Sequence, residues 1–392
     1  MKIKVGVFFG GKSVEHEISI ISAVQAMLAM DTEKYEIVPI YITKQNQMYT
    51  GESLLKIEEY KDIPALLKKC KRVFIENIEN KVTLLEYPLK RFGKNEINTL
   101  DVALPIVHGT NVEDGTLQGY FNFLNLPYCG CDVLASAVGM DKFFQKAVMK
   151  EAGVPVLTAK SFDMKAYNKK EKEILAEIEA EIAYPMIVKP VNLGSSVGIR
   201  KVHNREELVD AIDYGFEFSL HVIVEHAVSN LREINCSVLG DYEKARASEC
   251  EEPVNADEIL SYQDKYLNGE KNSSKGMSST KRKLPADISE ELKNHIQELA
   301  LKSFSALKLS GVVRIDFLMD NETKEVWVNE VNTIPGSLAF YLWEATGLKF
   351  SELLDEMIRL ALKRNREQEN VTYSFDTNVL SGIKLGGAKG KL

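Results

Sequence analysis

Nowhere does this sequence stay apolar for the roughly 20 residues that a membrane-spanning helix needs. The opening run Val5-Gly6-Val7-Phe8-Phe9 is too short for the hydrophobic part of a secretory leader and reads as a first strand. Cysteine is scarce. The five residues Cys70, Cys129, Cys131, Cys236 and Cys250 are scattered and odd in number, and Cys129-Gly130-Cys131 lacks the spacing of a zinc or redox pair. They read as ordinary thiols of a cytoplasmic protein. Basic charge is not in excess either. Lys and Arg number 49 against 57 Asp and Glu, a net charge of -8. Neutralising a nucleic-acid backbone needs a basic face, so the balance argues against a general nucleic-acid binder. No internal repeat is visible.

What is present suits two or three well-packed domains, because 392 residues are too many for one small core. The chain opens as strand, Gly10-Gly11 turn and helix. Ile18, Ile21, Val24 and Leu28 recur at helical spacing between positions 14 and 30, and the stretch 35–42 then alternates as a strand. A βαβ opening implies a parallel sheet with a ligand crevice at its strand ends. Further strands are predicted at 100–107, 185–190, 221–225, 312–319 and 325–332. Helices are predicted at 141–153, 169–182, 206–216, 289–309 and 350–363. The stretch 267–284 is polar and Lys-rich, a long surface loop of the kind that is either disordered or a functional lid. The tail after Asn365 has no core-forming pattern.

Gly6-Val7-Phe8-Phe9-Gly10-Gly11-Lys12-Ser13 matches the P-loop expression letter for letter. The mechanism asks for more, namely a loop whose backbone N–H groups wrap a phosphate. Here the first glycine lies inside an apolar strand. The favoured reading is a short turn at a helix N-terminus, where free N–H groups suit an anionic substrate group.

Two other places carry chemistry. Gly194-Ser195-Ser196-Val197-Gly198 follows a strand that contains Lys189, so small residues and a point charge stand ready for phosphates. Arg314-Ile315-Asp316 and Glu330-Val331-Asn332 sit on two predicted adjacent strands. In each triplet the first and third residues share a face. Pairing would gather one cation, two carboxylates and an amide, an oxygen-rich set that suits Mg²⁺ carried with nucleotide phosphates. A solvated hairpin with cross-strand ion pairs would give the same letters.

Taken in order, these segments resemble the D-alanine–D-alanine ligase family over about Val5 to Lys363. The run Gly10-Gly11-Lys12-Ser13-Val14-Glu15-His16-Glu17-Ile18-Ser19 is similar to the family's opening signature. The run from His108-Gly109 through Glu113-Asp114-Gly115 to Gln118-Gly119 is similar to its second. Met140-Asp141-Lys142, Val188-Lys189-Pro190, Gly194-Ser195-Ser196, Lys265-Tyr266, Arg314-Ile315-Asp316 and Glu330-Val331-Asn332-Thr333-Ile334-Pro335-Gly336 follow in the family's order.

The resemblance implies an α/β (α+β) ATP-grasp fold. It has a Rossmann-like parallel-sheet domain (1–134), a central α+β domain (135–225), a C-terminal α+β domain (226–365) with the lid 267–284, and a polar tail (366–392). It implies an ADP-forming ligase that joins two D-alanine molecules, or D-alanine and a close analogue, for peptidoglycan precursors. ATP would meet Lys142 and Lys189 at its phosphates, with Ser196 and Lys265 also among its binding residues. Glu225 would meet the adenine amino group, His226 to Val228 would form the hinge, and Glu233 would hold the ribose. Asp316, Glu330 and Asn332 would hold Mg²⁺, with Mn²⁺ as a substitute. Glu15, tied to Ser195 and Tyr266, would hold the first ammonium group. Arg314 and the Gly336 N–H would face the oxyanion. His108, Tyr341 and Leu342 would line the substrate positions. The implied partners are small amino acids and a second copy of the chain, with neither nucleic acid nor membrane.

Three departures from the family pattern bear on this. Val112 stands where the family has glycine, and a valine there would be strained if the position needs positive φ. The 267–284 loop is unusually basic through Lys271, Lys275, Lys281, Arg282 and Lys283. After Gly336 the chain reads Ser337-Leu338-Ala339-Phe340-Tyr341-Leu342-Trp343, which puts Tyr341 where the family has a serine that holds the second substrate's carboxylate. A ligase with a different acceptor is therefore an alternative. A non-catalytic nucleotide-binding regulator is a more remote one.

Overall fold

In the computed structural model, which describes residues 2–194, 197–253 and 282–377, the first strand β1 (Ile3–Gly10) is central to a sheet and buried from Val5 onward. Burial on both faces explains its unbroken apolar sequence. β1 pairs in parallel with β2 (Tyr35–Ile42) and with β7 (Val102–Val107). The expected βαβ unit is completed by α1 (His16–Ala29). The other half of this sheet is antiparallel and was not foreseen. It holds β3 (Met48–Thr50), β4 (Lys71–Ile78), β5 (Lys81–Glu86) and β6 (Glu96–Leu100), in the order β6-β5-β4-β3-β2-β1-β7. The short helix α2 (Ile63–Lys69) lies between β3 and β4.

Because Gly6 to Gly10 are paired on both sides within β1, their backbone cannot wrap a phosphate, and the P-loop reading fails. The turn comes at Gly10 and Gly11, with φ of 93° and 94°. A Cβ on Gly10 would lie 2.3 Å from the Ile42 carbonyl oxygen. Only glycine lets the chain turn there. The strain anticipated at Val112 is also absent. Positive φ falls on the neighbouring Asn111, at 70°. Val112 is buried and packs over Gly11, where a Cβ would meet its Cγ1 at 2.5 Å.

Helices α3 (Thr116–Phe123), α4 (Val133–Met140) and α5 (Lys142–Glu151) lead from the first sheet to a second. This second sheet is antiparallel, in the order β10-β9-β11-β8, from β8 (Ala159–Asp163), β9 (Met186–Pro190), β10 (Arg200–Val202) and β11 (His221–His226). Its core is closed by α6 (Met164–Glu181) and α7 (Arg205–Phe216) through Leu175, Ile178, Leu208 and Ile212.

The third sheet has the order β14-β13-β12-β15-β16, from β12 (Leu231–Gly240), β13 (Ala245–Pro253), β14 (Arg282–Lys283), β15 (Gly311–Asp320) and β16 (Val326–Asn332). Its apolar face packs on α8 (Glu290–Ala306) through Ile296, Leu299, Ala300 and Phe304. Two helices follow, α9 (Phe340–Ala345) and α10 (Phe350–Glu369). α10 returns to the first core, to which it contributes Leu353, Leu354, Met357 and Ile358. It also runs past the expected end at Lys363, because its last turns are a charged helix that needs no core. Among the described residues, no helix is long and apolar enough to cross a membrane.

Candidate active site

The site grows out of the third sheet's register. Asn235 pairs with both Glu251 and Asp316, and Asp316 pairs with Glu330. Directly opposed residues point to the same face, so Glu251, Asn235, Asp316 and Glu330 form one row across four strands. Two residues along each strand the face repeats, and Ser237, Arg314 and Asn332 make the next row. The other face is the apolar one that α8 covers. Sequence alternation on β15 and β16 thus supplies the chemistry on one side and the core on the other.

β16 carries a bulge. Asp316 pairs with Glu330 while Phe317 pairs with Val328, which leaves Asn329 as the extra residue. Bulges re-aim side chains. Here Asn329 and Glu330 are consecutive residues left out of the core, and Asn329 accepts a hydrogen bond from Lys189 Nζ at 3.2 Å.

Charges alternate across this face. Arg314 donates to both oxygens of Asp316, at 2.6 and 2.7 Å, and Asn332 Nδ2 donates to Asp316 Oδ2 at 3.0 Å. Burial works against the Arg314 charge, but Asp316 beside it holds the guanidinium well above its ordinary range. Lys142, the first residue of α5, donates to the Leu193 carbonyl at 2.7 Å and pairs with Glu330 at 3.1 Å. The Asp141 side chain caps α5 just before it, accepting from the Phe143 and Phe144 N–H groups, and this fixes where Lys142 points.

Behind these lies a deeper cluster. Lys189 on β9 pairs with Glu225 on β11 at 2.5 Å, and Lys146, one turn along α5 from Lys142, reaches the same carboxylate at 3.3 Å. All three side chains are at most 5% exposed. Burial alone would raise the Glu225 carboxyl, yet the two ammoniums bring it below its ordinary value. Lys146 is lowered, by burial first and also by the nearby Lys189 ammonium, against the pull of the Glu225 carboxylate. Lys146 Nζ and Glu225 Oε2 are buried without a well-aligned hydrogen bond among the described residues. The two atoms face each other as an ion pair without an aligned hydrogen bond. Two ammoniums against one carboxylate leave a net positive charge that suits a phosphate group. Hard oxygen donors at Asp316, Glu330 and Asn332 fit Mg²⁺, although no group of three His, Cys, Asp or Glu that could hold a metal occurs among the described residues.

Glu15 stands at the start of α1, where the first two units and the Gly194 loop meet. A Cβ on Gly194 would lie 2.9 Å from its Oε2, and one on Gly109 3.3 Å from the same oxygen. Ser195, Ser196, Lys265, Tyr266 and the lid portion 267–281 lie outside the described residues. His226 ends β11 and Val228 follows it at the junction of the second and third sheets, with Val228 buried and His226 only partly so. Glu233 shares the face of Asn235, two residues along β12.

Three residues expected at the substrate positions make contacts within the protein. The His108 ring is buried and spends both nitrogens on protein groups, Nδ1 on the Ile334 carbonyl at 2.9 Å and Nε2 on the Ser22 hydroxyl at 3.3 Å. The Tyr341 hydroxyl donates to Glu251 Oε1 at 2.8 Å, and the Arg282 guanidinium lies 3.9 Å over its ring. Leu342 is fully buried in a small cluster with Ala339 and Tyr341 and presents no side chain to solvent. The residues that sequence reasoning missed are Lys146, Asn235, Glu251 and Asn329. Lys146 was legible, since it is four residues from Lys142 on one helix. The others needed the strand register.

A polar sheet face opposed by buried lysines, between two α+β units, has the layout of an ATP-dependent ligase of the ATP-grasp fold. Family models agree. One described as D-ala D-ala ligase N-terminus matches residues 4–131, and one described as D-ala D-ala ligase C-terminus matches residues 148–359. A D-alanine--D-alanine ligase of Thermosipho melanesiensis is 40% identical over 98% of this chain and 99% of its own. The solved VanG D-Ala:D-Ser ligase from Enterococcus faecalis superposes with a TM-score of 0.77 at 33% identity, over 92% of this chain and 100% of its own. The D-alanine--D-alanine ligase from Bacillus anthracis, solved in complex with ATP, gives a TM-score of 0.64 at 26% identity, over 93% and 99%. The chain belongs to the D-alanine–D-alanine ligase family.

Proposed function

We propose that this chain joins two D-alanine molecules at the expense of ATP and releases ADP and phosphate, the product serving peptidoglycan precursor synthesis. The observation that carries this reading is the polar face of the third sheet, where Arg314, Asp316, Glu330 and Asn332 converge beside Lys142 and Lys189. A carboxylate is a poor electrophile. Transfer of the γ-phosphoryl group to the donor carboxylate makes an acyl phosphate, and the acceptor amine then displaces phosphate. Lys142 and Lys189 hold phosphate oxygens, with Ser196 and Lys265 assigned to the same nucleotide. Glu225 keeps Lys189 in place and, with residues 226–228 and Glu233, borders the nucleoside. Magnesium, when bound, offsets the charge on the transferring group, and Asp316, Glu330 and Asn332 would hold it. Glu15, with Ser195 and Tyr266, orients the donor ammonium. Arg314 and the Gly336 N–H stabilise the tetrahedral oxyanion.

A second reading keeps this activation and changes the acceptor, for example to D-serine. It is favoured by the Tyr341, Glu251 and Arg282 cluster, which adds polar groups to the sheet face that carries Arg314. One experiment addresses both. ADP release is followed across D- and L-amino acids and 2-hydroxy acids, and the products are identified by mass. D-Alanyl-D-alanine as main product supports the first reading, and a mixed product the second. AMP and pyrophosphate in place of ADP would remove both. A homodimer is part of the proposal and is checked by sedimentation.

A further inference from the structure

Residues 333–337 leave β16 directly after Asn332 and enter a turn that is left-handed at three consecutive non-glycine residues. Ser337, Leu338 and Ala339 have φ of 50°, 54° and 50°. Side chains disfavour this backbone region, so such a turn persists only when its neighbours fix it.

The groups that fix it come from the amino-terminal unit. Glu113 is buried, and its carboxylate accepts three hydrogen bonds. The Ile334 N–H donates to it at 2.9 Å, the Thr333 hydroxyl at 3.1 Å and the Gly109 N–H at 2.9 Å. The Ile334 carbonyl can only accept, so His108 Nδ1 must carry the proton that meets it. Burial keeps this imidazole neutral. Its Nε2 therefore accepts from the Ser22 hydroxyl, and Ser22 Oγ in turn accepts the Ser337 N–H at 2.9 Å. The Ser337 hydroxyl donates to Gln25 Oε1 at 2.8 Å. Both polar groups of Ile334 and both donors of Ser337 are thus held, and Gly336 lies between them.

We infer that Glu113 is a positioning residue: together with His108 and Ser22 it fixes the direction of the Gly336 backbone N–H. It thereby sets the rate of the second half-reaction, in which the oxyanion forms. The inference rests on the proposed role of the Gly336 amide. It gives the chain a physical link between its first unit, which holds the donor at Glu15, and the loop that serves the reacting carbonyl.

The test uses the full chain with Glu113→Gln, Glu113→Ala and, at the other end of the clamp, Ser22→Ala. Glutamine keeps an acceptor for Ile334 and Thr333 but turns an amide donor toward the Gly109 N–H. ATP carrying an isotopic label in its β,γ-bridge reports reversible acyl phosphate formation through scrambling of the label, and ADP formation reports ligation. A slower second step raises the ratio of scrambling to ligation. A variant that is merely less well folded lowers both and leaves the ratio unchanged. A misplaced oxyanion donor should raise the ratio about 100-fold in Glu113→Ala and by less in Glu113→Gln and Ser22→Ala, with the KM for ATP within about threefold of wild type. A ratio within about threefold of wild type in all three variants would overturn the inference while leaving the ligase reading intact. Wild-type protein that forms no ADP with any D-amino acid would overturn the ligase reading itself.

Discussion

Glu225 neutralises two cations with one charge, and its neighbours are not equivalent. Lys189 makes the shorter contact, at 2.5 Å, and Lys146 the longer, at 3.3 Å. Removing the shared anion leaves two buried ammoniums facing each other. Glu225→Gln should therefore cost roughly 3–5 kcal/mol of stability. Lys146→Met should cost much less, because Lys189 still pairs with the carboxylate. Urea unfolding of both variants checks this, and equal losses would show that Lys189 alone does not satisfy the carboxylate. Glu113 makes a pH statement. Burial pushes its carboxyl up to about 7, against the opposing pull of the Gly109 and Ile334 N–H groups, and nearby Glu15 adds to the rise. The folded chain then binds a proton that the unfolded chain releases between its ordinary value of 4.5 and about 7. Stability from this residue is full below that window and is lost as pH rises through it. The stability difference between wild type and Glu113→Gln should accordingly fall from pH 4.5 to pH 7. His108 titrates in both proteins and cancels. A difference that is flat or rising would refute the assignment.

At the level of elements, local rules decide more than letter matches. Gly6 to Ser13 spells a phosphate loop, but a central parallel strand consumes the backbone groups that such a loop requires. Val112 looks like a strained replacement of glycine, and it is instead a core residue that fills the space over Gly11. Val112→Gly should therefore destabilise by roughly 2–4 kcal/mol through lost burial and added chain entropy. If denaturant titration shows a gain instead, the valine is strained after all. The bulge at Asn329 is the element-scale feature that brings Asn329 and Glu330 to one face, and no alternation pattern in the sequence announces it.

For the whole molecule, the decisive contacts join segments far apart in the chain. α10 packs on the first core and sends Arg364 to the carbonyls of Tyr128 and Gly130, with its guanidinium over the Tyr128 ring. Gly130 in turn abuts Gly311 at the start of β15, where a Cβ would come within 2.8 Å of its Cα. The first unit, the third sheet and the last helix thus meet at one residue. Arg364→Ala should lower stability by about 1.5–3 kcal/mol, the usual loss for hydrogen bonds from a charged donor. Lys363→Ala, one residue earlier, should lose far less, because its pairs with Asp241 and Glu243 leave the lysine side chain 23% exposed. Thermal melts of the two variants provide the comparison, and equal shifts would deny the junction its role.

The sequence by itself determined the strands and helices with strong periodicity. β2 was predicted at its observed bounds, and β9, β11, β15, β16, α5 and α7 within a residue or two. It also determined the ordered motifs that mark the family, because those residues are contiguous and their chemistry is local. It did not reveal the antiparallel half of the first sheet or the strands β12 and β13, whose short or mixed runs carry no clean alternation. Only the tertiary structure decided which side chains share a face and which spend their polar atoms on each other. Register set the row from Glu251 to Glu330, and packing sent the Tyr341 hydroxyl to Glu251. It also gave both His108 nitrogens to the protein and joined Glu113 to Ile334 across 221 positions. The physical reason is that a buried polar group must find a partner, and the partner's identity depends on three-dimensional proximity that local sequence does not encode.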